Sequence, residues 1–464
     1  MFFDIFAGLP LWVQVLFWLV LAITVSSFVS VTTLLVLAAR FRGRVRGDVR
    51  RDPGGAGEER FLWVFLVPAL NEEVTIADSV ARLRHVAATH AMILVINDGS
   101  DDRTGEILAG IDDPRLNVLT RSAPHAREGK AAALNAAYAH VRSELQEDPA
   151  LAMWDEDHVI VVVVDADGRL DPDAPRSAAR HFRDGGVGGV QSLVRIYNRR
   201  GWLTWAQDVE FSSFGLVFQA GRAWWGTANM GGNGQFNRLS ALASIDDGSG
   251  PWRDRLTEDQ DLGVRLIQAG WAGVQDNSVA IDQQGLNSLR RLYRQRVRWA
   301  QGSWQALALL RGVPRLRVPF VARVDSVYYL LTPALQLLTG FALVVSIVFA
   351  FLSGVPYRPS HWWILIFFMT LSFGPGVVTL ALRGGRWYSP FVALVLVIPY
   401  TAYSWIVFPV LAVGLFRQLS GRRSWAKTAR ETQGMDASGS ADAAAVGDTG
   451  GDRGAVSGRK VTPP

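Results

Sequence analysis

The chain is 464 residues long, and its hydrophobic content of 49%, with 17 Trp and 23 Phe, exceeds that of an average soluble protein. It contains no cysteine, which excludes disulfides, thiolate metal sites and cysteine nucleophiles and leaves any metal to oxygen and histidine ligands. The net charge of +5 comes with basic residues clustered beside apolar segments. This pattern favours an anionic membrane surface and predicts no nucleic-acid partner.

The first predicted element is a transmembrane helix from about Leu11 to Ala39, which exceeds the roughly 18 to 20 apolar residues that a bilayer requires. It lacks a basic leader and a small-residue cleavage site, so we do not expect a cleavable signal peptide. The basic stretch RFRGRVRGDVRR, Arg40 to Arg51, follows it and predicts that its carboxyl end faces the cytoplasm. Residues from about Arg60 to Pro314 are therefore expected inside the cell.

The central block of the chain alternates strand-like and helical patterns. Three near-continuous apolar runs, FLWVFLVP, MILVIND and HVIVVVVD, are separated by helical segments such as VTIADSVARLRHVAA. This βαβ pattern predicts an α/β domain whose mostly parallel sheet is buried on both faces. Ligands of such sheets bind at the carboxyl ends of the strands.

Acidic residues follow all three predicted strands, in PALNEE (Pro68 to Glu73), NDGSDD (Asn97 to Asp102) and DADG (Asp165 to Gly168). Each motif alone is also explained as a turn or a helix cap, but three at one edge of a sheet favour a ligand site. In DADG, Asp165 and Asp167 follow a very apolar strand, where a divalent cation would satisfy both carboxylates. Mg²⁺ or Mn²⁺, held also by substrate phosphates, fits a nucleoside diphosphate, and a solvated turn is the alternative.

The stretch REGKAAALN places Arg127 and Lys130 on either side of a glycine at a predicted helix start. Backbone donors and cations at such a start attract phosphate. Neither GxxxxGK[ST] nor a GxGxxG after the first strand is present, which disfavours P-loop NTPases and ordinary Rossmann dehydrogenases.

The stretch LTEDQDLGVRLIQAGW sets Glu258 and Asp259 at the start of another helical pattern. Thr257 and Gln260 form a predicted capping box, and acids in a first turn suit the positive end of the helix dipole. Capping alone accounts for these residue types, so the stretch by itself leaves open whether its acids perform chemistry.

The helical pattern LRRLYRQRVRWAQGSW places Gln295, Arg298 and Trp299 on one face. An indole beside a guanidinium can stack on a sugar ring or form a cation–π pair. The pattern is also amphipathic, so we expect its arginines as a group to reach lipid phosphates at the membrane surface. These arginines are Arg290, Arg291, Arg294, Arg296 and Arg298. For Gln295, Arg298 and Trp299 we favour a ligand-binding role instead.

Three further transmembrane segments are predicted, from Val327 to Leu352, Trp362 to Leu382 and Pro390 to Phe416. Four spans would leave the carboxyl end outside, although the basic FRQLSGRRSWAKTARE that follows favours the cytoplasm. Prolines in LVIPYTAYSWIVFP could break the last segment or make it re-enter, so the side of the tail stays open. The tail from about Gln433 is rich in Gly, Ala, Ser and Asp and is expected to be disordered.

The ordered set PALNEE, NDGSDD, EGKAAALN, DADG, TEDQDLG and QRVRW, followed by membrane spans, resembles the membrane-integrated family 2 glycosyltransferases, which include cellulose, chitin and hyaluronan synthases. The motifs cover residues 61–302. The resemblance implies a GT-A fold, which is Rossmann-like, an inverting mechanism and a nucleotide-diphosphate sugar donor, with a UDP-sugar expected.

The resemblance also implies roles for individual residues, with Asp259 as the catalytic base and Asp165 and Asp167 at the metal. Two departures from the family are Asn97, where Asp is frequent, and MGGNGQFNR, which replaces a Cys-bearing acceptor loop and leaves acceptor and processivity open. The residues expected at the donor are Glu72, Asp98, Lys130, Asp165, Asp167, Gln295 and Arg298. Those expected at the acceptor are Trp299, Gly232, Asn233 and Glu258.

These expectations define a multi-pass plasma-membrane enzyme that adds sugar to a growing polysaccharide at the cytoplasmic face and passes it through its own spans. Whether a partner protein completes the secretion path stays open. A transferase that adds one sugar to a lipid acceptor is the alternative, and a non-catalytic transport or scaffold subunit is a third. The predicted parts are a transmembrane helix (1–40), a cytoplasmic GT-A domain (60–285), interfacial helices with QxxRW (286–325), three transmembrane segments (326–417) and a disordered tail (433–464).

Overall fold

The computed structural model describes residues 10–52, 57–352, 373–383 and 389–421. The tail predicted to be disordered and the amino-terminal half of the predicted span from Trp362 to Leu382 lie outside the described residues. The described part of the chain contains one eight-stranded sheet, helices on both of its faces, and long apolar helices near both ends.

The secondary structure follows the predicted alternation through the central block. The strands are β1 (Leu62–Ala69), β2 (His90–Asn97), β3 (Leu116–Thr120), β4 (Val159–Val163), β5 (Arg169–Leu170), β6 (Val187–Ile196), β7 (Gln235–Arg238) and β8 (Ala272–Gln283). The helices are α1 (Leu11–Arg51), α2 (Ile76–Leu83), α3 (Thr104–Ala109), α4 (Lys130–Glu147), α5 (Ala174–Phe182), α6 (Trp202–Ser213), α7 (Ala220–Ala223), α8 (Leu239–Ala243), α9 (Glu258–Gln268), α10 (Leu289–Ala306), α11 (Phe320–Leu352), α12 (373–383), α13 (Ser389–Ser404) and α14 (Val407–Leu419).

The sheet has the order β3-β2-β1-β4-β7-β6-β8-β5, and its first four strands are parallel as predicted. The second half is mixed, because β7 runs antiparallel to both β4 and β6. The loop before β7 lies at the carboxyl end of β4, where the Gly234 amide donates to the Val163 carbonyl at 2.9 Å. The chain therefore enters β7 at the edge formed by the carboxyl ends of the parallel strands. From there β7 has to run antiparallel to β4.

Both faces of the parallel half are covered by apolar side chains, which confirms the prediction from the continuous apolar runs. Alternate residues of β1 enter different cores: Trp63 and Phe65 pack on one face, and Val64 and Leu66 on the other. All four are fully buried. Such two-sided burial leaves the strand ends as the accessible part of this sheet.

Three described helical stretches are long and apolar enough to cross a membrane: Leu11–Arg51, Phe320–Val348 and Ser389–Leu419. The carboxyl part of α1 also packs against the α/β domain. A methyl group at Gly221, in α7, would lie 2.6 Å from the carbonyl oxygen of Leu34. Only glycine allows this approach of the two backbones.

The last apolar stretch is not one continuous helix. It turns at Trp405 and Ile406, between two prolines, and its two parts have 16 and 13 residues, or about 24 Å and about 20 Å at 1.5 Å per residue. Each part is shorter than the roughly 30 Å apolar core of a bilayer. This geometry favours the broken or re-entrant alternative for the segment.

Helix α14 lies along α10, the helix that carries the QxxRW residues. The Trp304 indole donates to the Leu411 carbonyl at 3.1 Å, and the Gln305 amide donates to Gln418 Oε1 at 3.2 Å. The end of α14 is therefore held beside α10 and the α/β domain.

We expect a cysteine introduced at Ser420 to be labelled from the same side of the membrane as one introduced at Ala150 in the α/β domain. The native chain lacks cysteine, so each single variant reports one position. A membrane-impermeant maleimide applied to sealed vesicles of known orientation measures this. Labelling of Ser420→Cys and Ala150→Cys from opposite sides would contradict the placement of α14.

Candidate active site

The loops after β1 and β2 hold each other at the carboxyl edge of the sheet. The Asn71 side chain donates to Asp101 at 2.5 Å and accepts from the Asp101 amide at 3.0 Å. The Glu72 amide donates to Thr104 Oγ1 at 2.8 Å, and its buried carboxylate accepts from Thr75 Oγ1 at 2.8 Å. These bonds place Glu72 and the PALNEE motif at the edge predicted for the donor.

Asp98 is buried at the end of β2 and accepts two hydrogen bonds on one oxygen. Arg121 donates to Oδ1 at 2.5 Å, and the Arg127 backbone amide donates to it at 3.1 Å. Arg121 was missed from the sequence, although it directly follows a strand. Its strand, β3, has only five residues with partly exposed positions, so the chain gave no continuous apolar run to mark it.

Lys130 is the first residue of α4 and connects two of the predicted motifs. Its Nζ lies 2.7 Å from Asp165 Oδ1 and 3.8 Å from Glu258 Oε1. Burial alone would lower the pKa of Lys130, but the carboxylates of Asp165, Glu258 and Asp259 outweigh it and raise the pKa. The lysine therefore stays cationic between the three acids.

The DADG turn is held by the loop before β7. The Asp165 amide donates to Asn233 Oδ1 at 3.0 Å, and Asn233 Nδ2 donates to Gln283 Oε1 at 3.0 Å. The oxygen and the nitrogen of the buried Asn233 side-chain amide are therefore both hydrogen-bonded within the protein. Asn233 was expected at the acceptor, and in the structure it supports the DADG turn. Asp167 Oδ2 accepts from the Gln284 amide at 3.4 Å.

The donor set fits a divalent cation completed by substrate. Asp165 and Asp167 supply hard oxygen ligands on the two sides of one turn, and Asp165 is already compensated by Lys130. Among the described residues, no group of three or more acidic or histidine side chains is arranged to hold a metal. A cation here would take its remaining ligands from diphosphate and water, which is the usual pattern for Mg²⁺.

The start of α9 differs from the predicted capping box, and that prediction is wrong. Thr257 makes no side-chain bond to the helix backbone, and its hydroxyl lies 3.4 Å from Gln260 Oε1 and against Gly302 of α10. Instead, Asp259 Oδ1 accepts from the Gln260 amide at 2.8 Å. The Thr257 side chain packs against α10 and is not bonded to the backbone of α9.

The acids at this helix start have raised pKa values. Burial raises the pKa of Glu258 to about 7, against the influence of Lys130 and with the help of Asp259. Burial also raises the pKa of Asp259, although the Gln260 amide and Lys130 oppose the change. A carboxylate with a raised pKa is a better proton acceptor near neutral pH than an exposed one.

The QxxRW face meets this cluster through Arg298. Burial lowers the pKa of Arg298, while Glu258, Asp165 and Asp259 act in the opposite direction, which places its guanidinium within the electrostatic reach of the acids. Lys130, Asp165, Glu258, Asp259 and Arg298 form what we call the acid–base cluster.

The other two QxxRW residues, Gln295 and Trp299, both contact Arg296. The expectation that Arg296 reaches lipid phosphates is wrong. Arg296 is buried, pairs with Glu210 at 2.5 Å and lies 4.2 Å from the Trp299 ring centre. Gln295 Oε1 accepts from Arg296 at 3.1 Å, and Phe211 meets Trp299 edge-on at 6.0 Å. The carboxylate of Glu210 draws Arg296 inward, and one face of the indole is covered as a result.

Residues 160–417 match the model of glycosyl transferase family group 2, and residues 64–243 match that of glycosyl transferase family 2. The first match covers more than half of the chain. The chain belongs to glycosyltransferase family 2. The membership of family 2 expected from the motifs is confirmed.

Two relatives of this family 2 protein are named after different products, a glucosyl lipid and a polysaccharide. The chain is 32% identical over 247 residues to the beta-monoglucosyldiacylglycerol synthase of Trichormus variabilis, covering 52% of this chain and 48% of that one. It is 27% identical over 269 residues to the poly-beta-1,6-N-acetyl-D-glucosamine synthase of Staphylococcus aureus, covering 58% and 60%. The matches thus span about half to three fifths of these relatives' own lengths.

A solved structure shares the fold of this family 2 enzyme. The mannosyltransferase of Pyrobaculum calidifontis, in complex with GDP-Man and Mn²⁺, superposes with a TM-score of 0.54 at 17% identity, covering 87% of this chain and 100% of that one. The likeness confirms the GT-A fold.

We expect Gly232→Ala to reduce sugar transfer by roughly tenfold or more, because small misplacements of catalytic groups are costly. Gly232 has a φ of +82°, and a methyl group there would lie 2.9 Å from Asp259 Oδ2. Gly231→Ala is the matched control, since its nearest neighbour would be 3.6 Å away and its φ is ordinary. Transfer rates of both variants in membrane vesicles measure this, and equal rates would contradict the contact.

Proposed function

We propose that this enzyme transfers a sugar, with inversion, from a UDP-sugar to an acceptor hydroxyl at the cytoplasmic face of the plasma membrane. The acid–base cluster carries the proposal. It joins three carboxylates and two cations from four separate motifs at the carboxyl ends of parallel strands, where α/β sheets bind ligands. The multi-pass topology and the passage of product through the spans are parts of the same proposal.

The donor is proposed to lie across the ends of β1, β2 and β4. Glu72 and Asp98 are assigned to the nucleotide, because both carboxylates are buried at the first two strand ends. Lys130 and Arg298, with Gln295, are assigned to the diphosphate, since cations at a helix start and beside the acids neutralise the leaving group. The bound phosphates would share Lys130 with Asp165.

Asp259 is proposed as the general base. Inverting transfer needs a carboxylate on the face of the sugar opposite the departing diphosphate, where it accepts the proton of the attacking hydroxyl. Its pKa is raised by burial, which increases its basicity, and its second oxygen lies against Gly232 in the loop assigned to the acceptor. Glu258 and Trp299 are assigned to the acceptor beside it.

Asp165 and Asp167 are proposed to hold Mg²⁺ or Mn²⁺ together with the diphosphate. Such a cation supplies charge neutralisation to the leaving diphosphate. The Mn²⁺ in the structure of the Pyrobaculum calidifontis mannosyltransferase supports this assignment.

Two acceptors are consistent with the site. A growing polysaccharide is supported by the QxxRW face and by the poly-N-acetylglucosamine synthase relative. A lipid acceptor is supported by the glucosyldiacylglycerol synthase relative and by Arg296, which covers one face of Trp299 and leaves less of it for stacking on a glycan.

The two acceptors are separated by the size of the product. Membrane vesicles that contain the full chain should transfer radiolabel from one of a panel of nucleotide sugars, and EDTA should abolish the transfer. A high-mass product sensitive to one glycosidase assigns the polysaccharide, and a solvent-extractable lipid with one sugar assigns the lipid. Full activity in EDTA would refute the metal assignment, and no transfer from any donor would refute the function.

Asp259→Asn should lose roughly 100-fold or more in transfer while it still inserts and binds UDP, because general-base catalysis contributes at least that much. Thr257→Ala is the matched control at the same helix start. Its side chain packs against Gly302 of α10 and does not cap the helix. The variant should therefore lose about 0.5 to 3 kcal/mol of stability, as an ordinary packing substitution does, and keep most of its rate. Near wild-type transfer by Asp259→Asn would overturn the assignment.

The pH dependence is a second readout of the same base. A carboxylate must be ionised to accept a proton, so a raised pKa moves the acid side of the rate profile upward. The transfer rate should therefore rise at a higher pH than the pKa of about 4 of an exposed aspartate, because burial raises the pKa of Asp259.

A further inference from the structure

Asn229 lies between the first turn of α9 and the membrane helix α11, and it is almost fully buried. Its Nδ2 donates to Tyr329 Oη at 2.9 Å and to the Gln260 carbonyl at 3.4 Å. Its Oδ1 accepts from the Met230 amide at 2.9 Å. All polar atoms of this side chain are therefore bonded, which fixes its orientation.

Gly263 shows how closely Asn229 fits against α9. A methyl group at Gly263 would overlap Asn229 Oδ1 and come within 2.9 Å of the Met230 amide nitrogen. A glycine inside a helix is otherwise unfavourable, so its presence here is explained by this contact.

The loop that contains Asn229 touches the first turn of α9 twice. Asn229 bonds the Gln260 carbonyl, and three residues later Gly232 lies against Asp259 Oδ2. The carboxylate of Asp259 thus sits between two fixed points of one loop, and a shift of Asn229 would move it.

Tyr329 brings α11 into the same network. Its hydroxyl is linked through Asn229 to the carbonyl of Gln260, a residue of the predicted capping box. Its ring centre lies 4.6 Å from the Arg222 guanidinium, which pairs with Asp325 one helical turn earlier at 2.7 Å. Both members of this pair are buried, so α11 is seated on α7 by a charged contact at the level of the site.

We propose that Tyr329 and Asn229 are positioning residues for Asp259. The position of the apolar helix α11 thereby determines the orientation of the catalytic base. The inference rests on the proposed function, because it takes Asp259 as the base. The route is continuous. Asp325 and Arg222 hold Tyr329, Tyr329 bonds Asn229, and Asn229 bonds the Gln260 carbonyl in the turn that carries Asp259. A helix in the bilayer thereby acts on proton transfer without contact with substrate.

The test is Tyr329→Phe in the full chain in membrane vesicles, which removes one oxygen atom and keeps the ring. We expect kcat to fall roughly tenfold to a hundredfold, with the KM for the donor unchanged, because the base is misaimed and the donor site is intact. Tyr328→Phe is the matched control, since the hydroxyl of this neighbouring residue bonds Ser27 of α1. It should keep the wild-type kcat.

A double-mutant cycle separates positioning from general damage. If Tyr329 acts through Asp259, adding Tyr329→Phe to Asp259→Asn should cause no further loss of the residual rate. An equal loss in both backgrounds, or a Tyr329→Phe rate equal to that of Tyr328→Phe, would overturn the inference. If Tyr329→Phe unfolds at a lower temperature than the wild type, Asn229→Ser replaces it. We expect Asn229→Ser to lower kcat and to leave KM for the donor unchanged. An unchanged kcat would overturn the inference.

Failure of the proposed function would look different. If Asp259→Asn alone kept the wild-type rate, the base assignment would fall and this inference with it. If Asp259→Asn lost its rate while Tyr329→Phe did not, only the role of Tyr329 and Asn229 would be refuted.

Discussion

The ion pair between Lys130 and Asp165 is the contact on which the arrangement of the site depends. Asp165, Glu258 and Asp259 come from distant parts of the chain and lie together in a half-buried cleft, where their mutual repulsion and desolvation are unfavourable. One lysine at the start of α4 offsets much of this cost.

Contacts to these acids come from several elements that meet at one edge of the sheet. The loop before β7 supplies Asn233 to the DADG turn and Gly232 to Asp259, which requires β7 to start at that edge and run antiparallel. Arg298 arrives from α10, which is fixed in turn by α14. The mixed half of the sheet and the helices near the membrane are therefore arranged around the charges of the site.

Much of this could be predicted from the sequence, for physical reasons that are specific to each feature. Strands buried on both faces give continuous apolar runs, so β1, β2 and β4 were predictable, and the acids after them follow from the rule for ligands of parallel sheets. Arg121 was missed because β3 is short and partly exposed at the edge. The predicted orientation of the Arg296 side chain was wrong because its partner, Glu210, lies 86 residues away in the sequence. The bond between Asn229 and Tyr329 joins residues 100 apart and leaves no local pattern.

The contacts of α10 with α14, and of α7 with α1, bear on what counts as a domain in this enzyme. The chain passes from the α/β part to the apolar helices in sequence, but in space Trp304, Gln305 and Gly221 are already covered by those helices. Cutting the chain near residues 57 and 315 would remove α14 from α10, the helix that carries Arg298. It would also remove α11, and with it Tyr329, from the neighbourhood of the site. The smallest unit that can be handled intact is therefore the α/β part together with its long apolar helices, and detergent or lipid belongs in its purification from the first step.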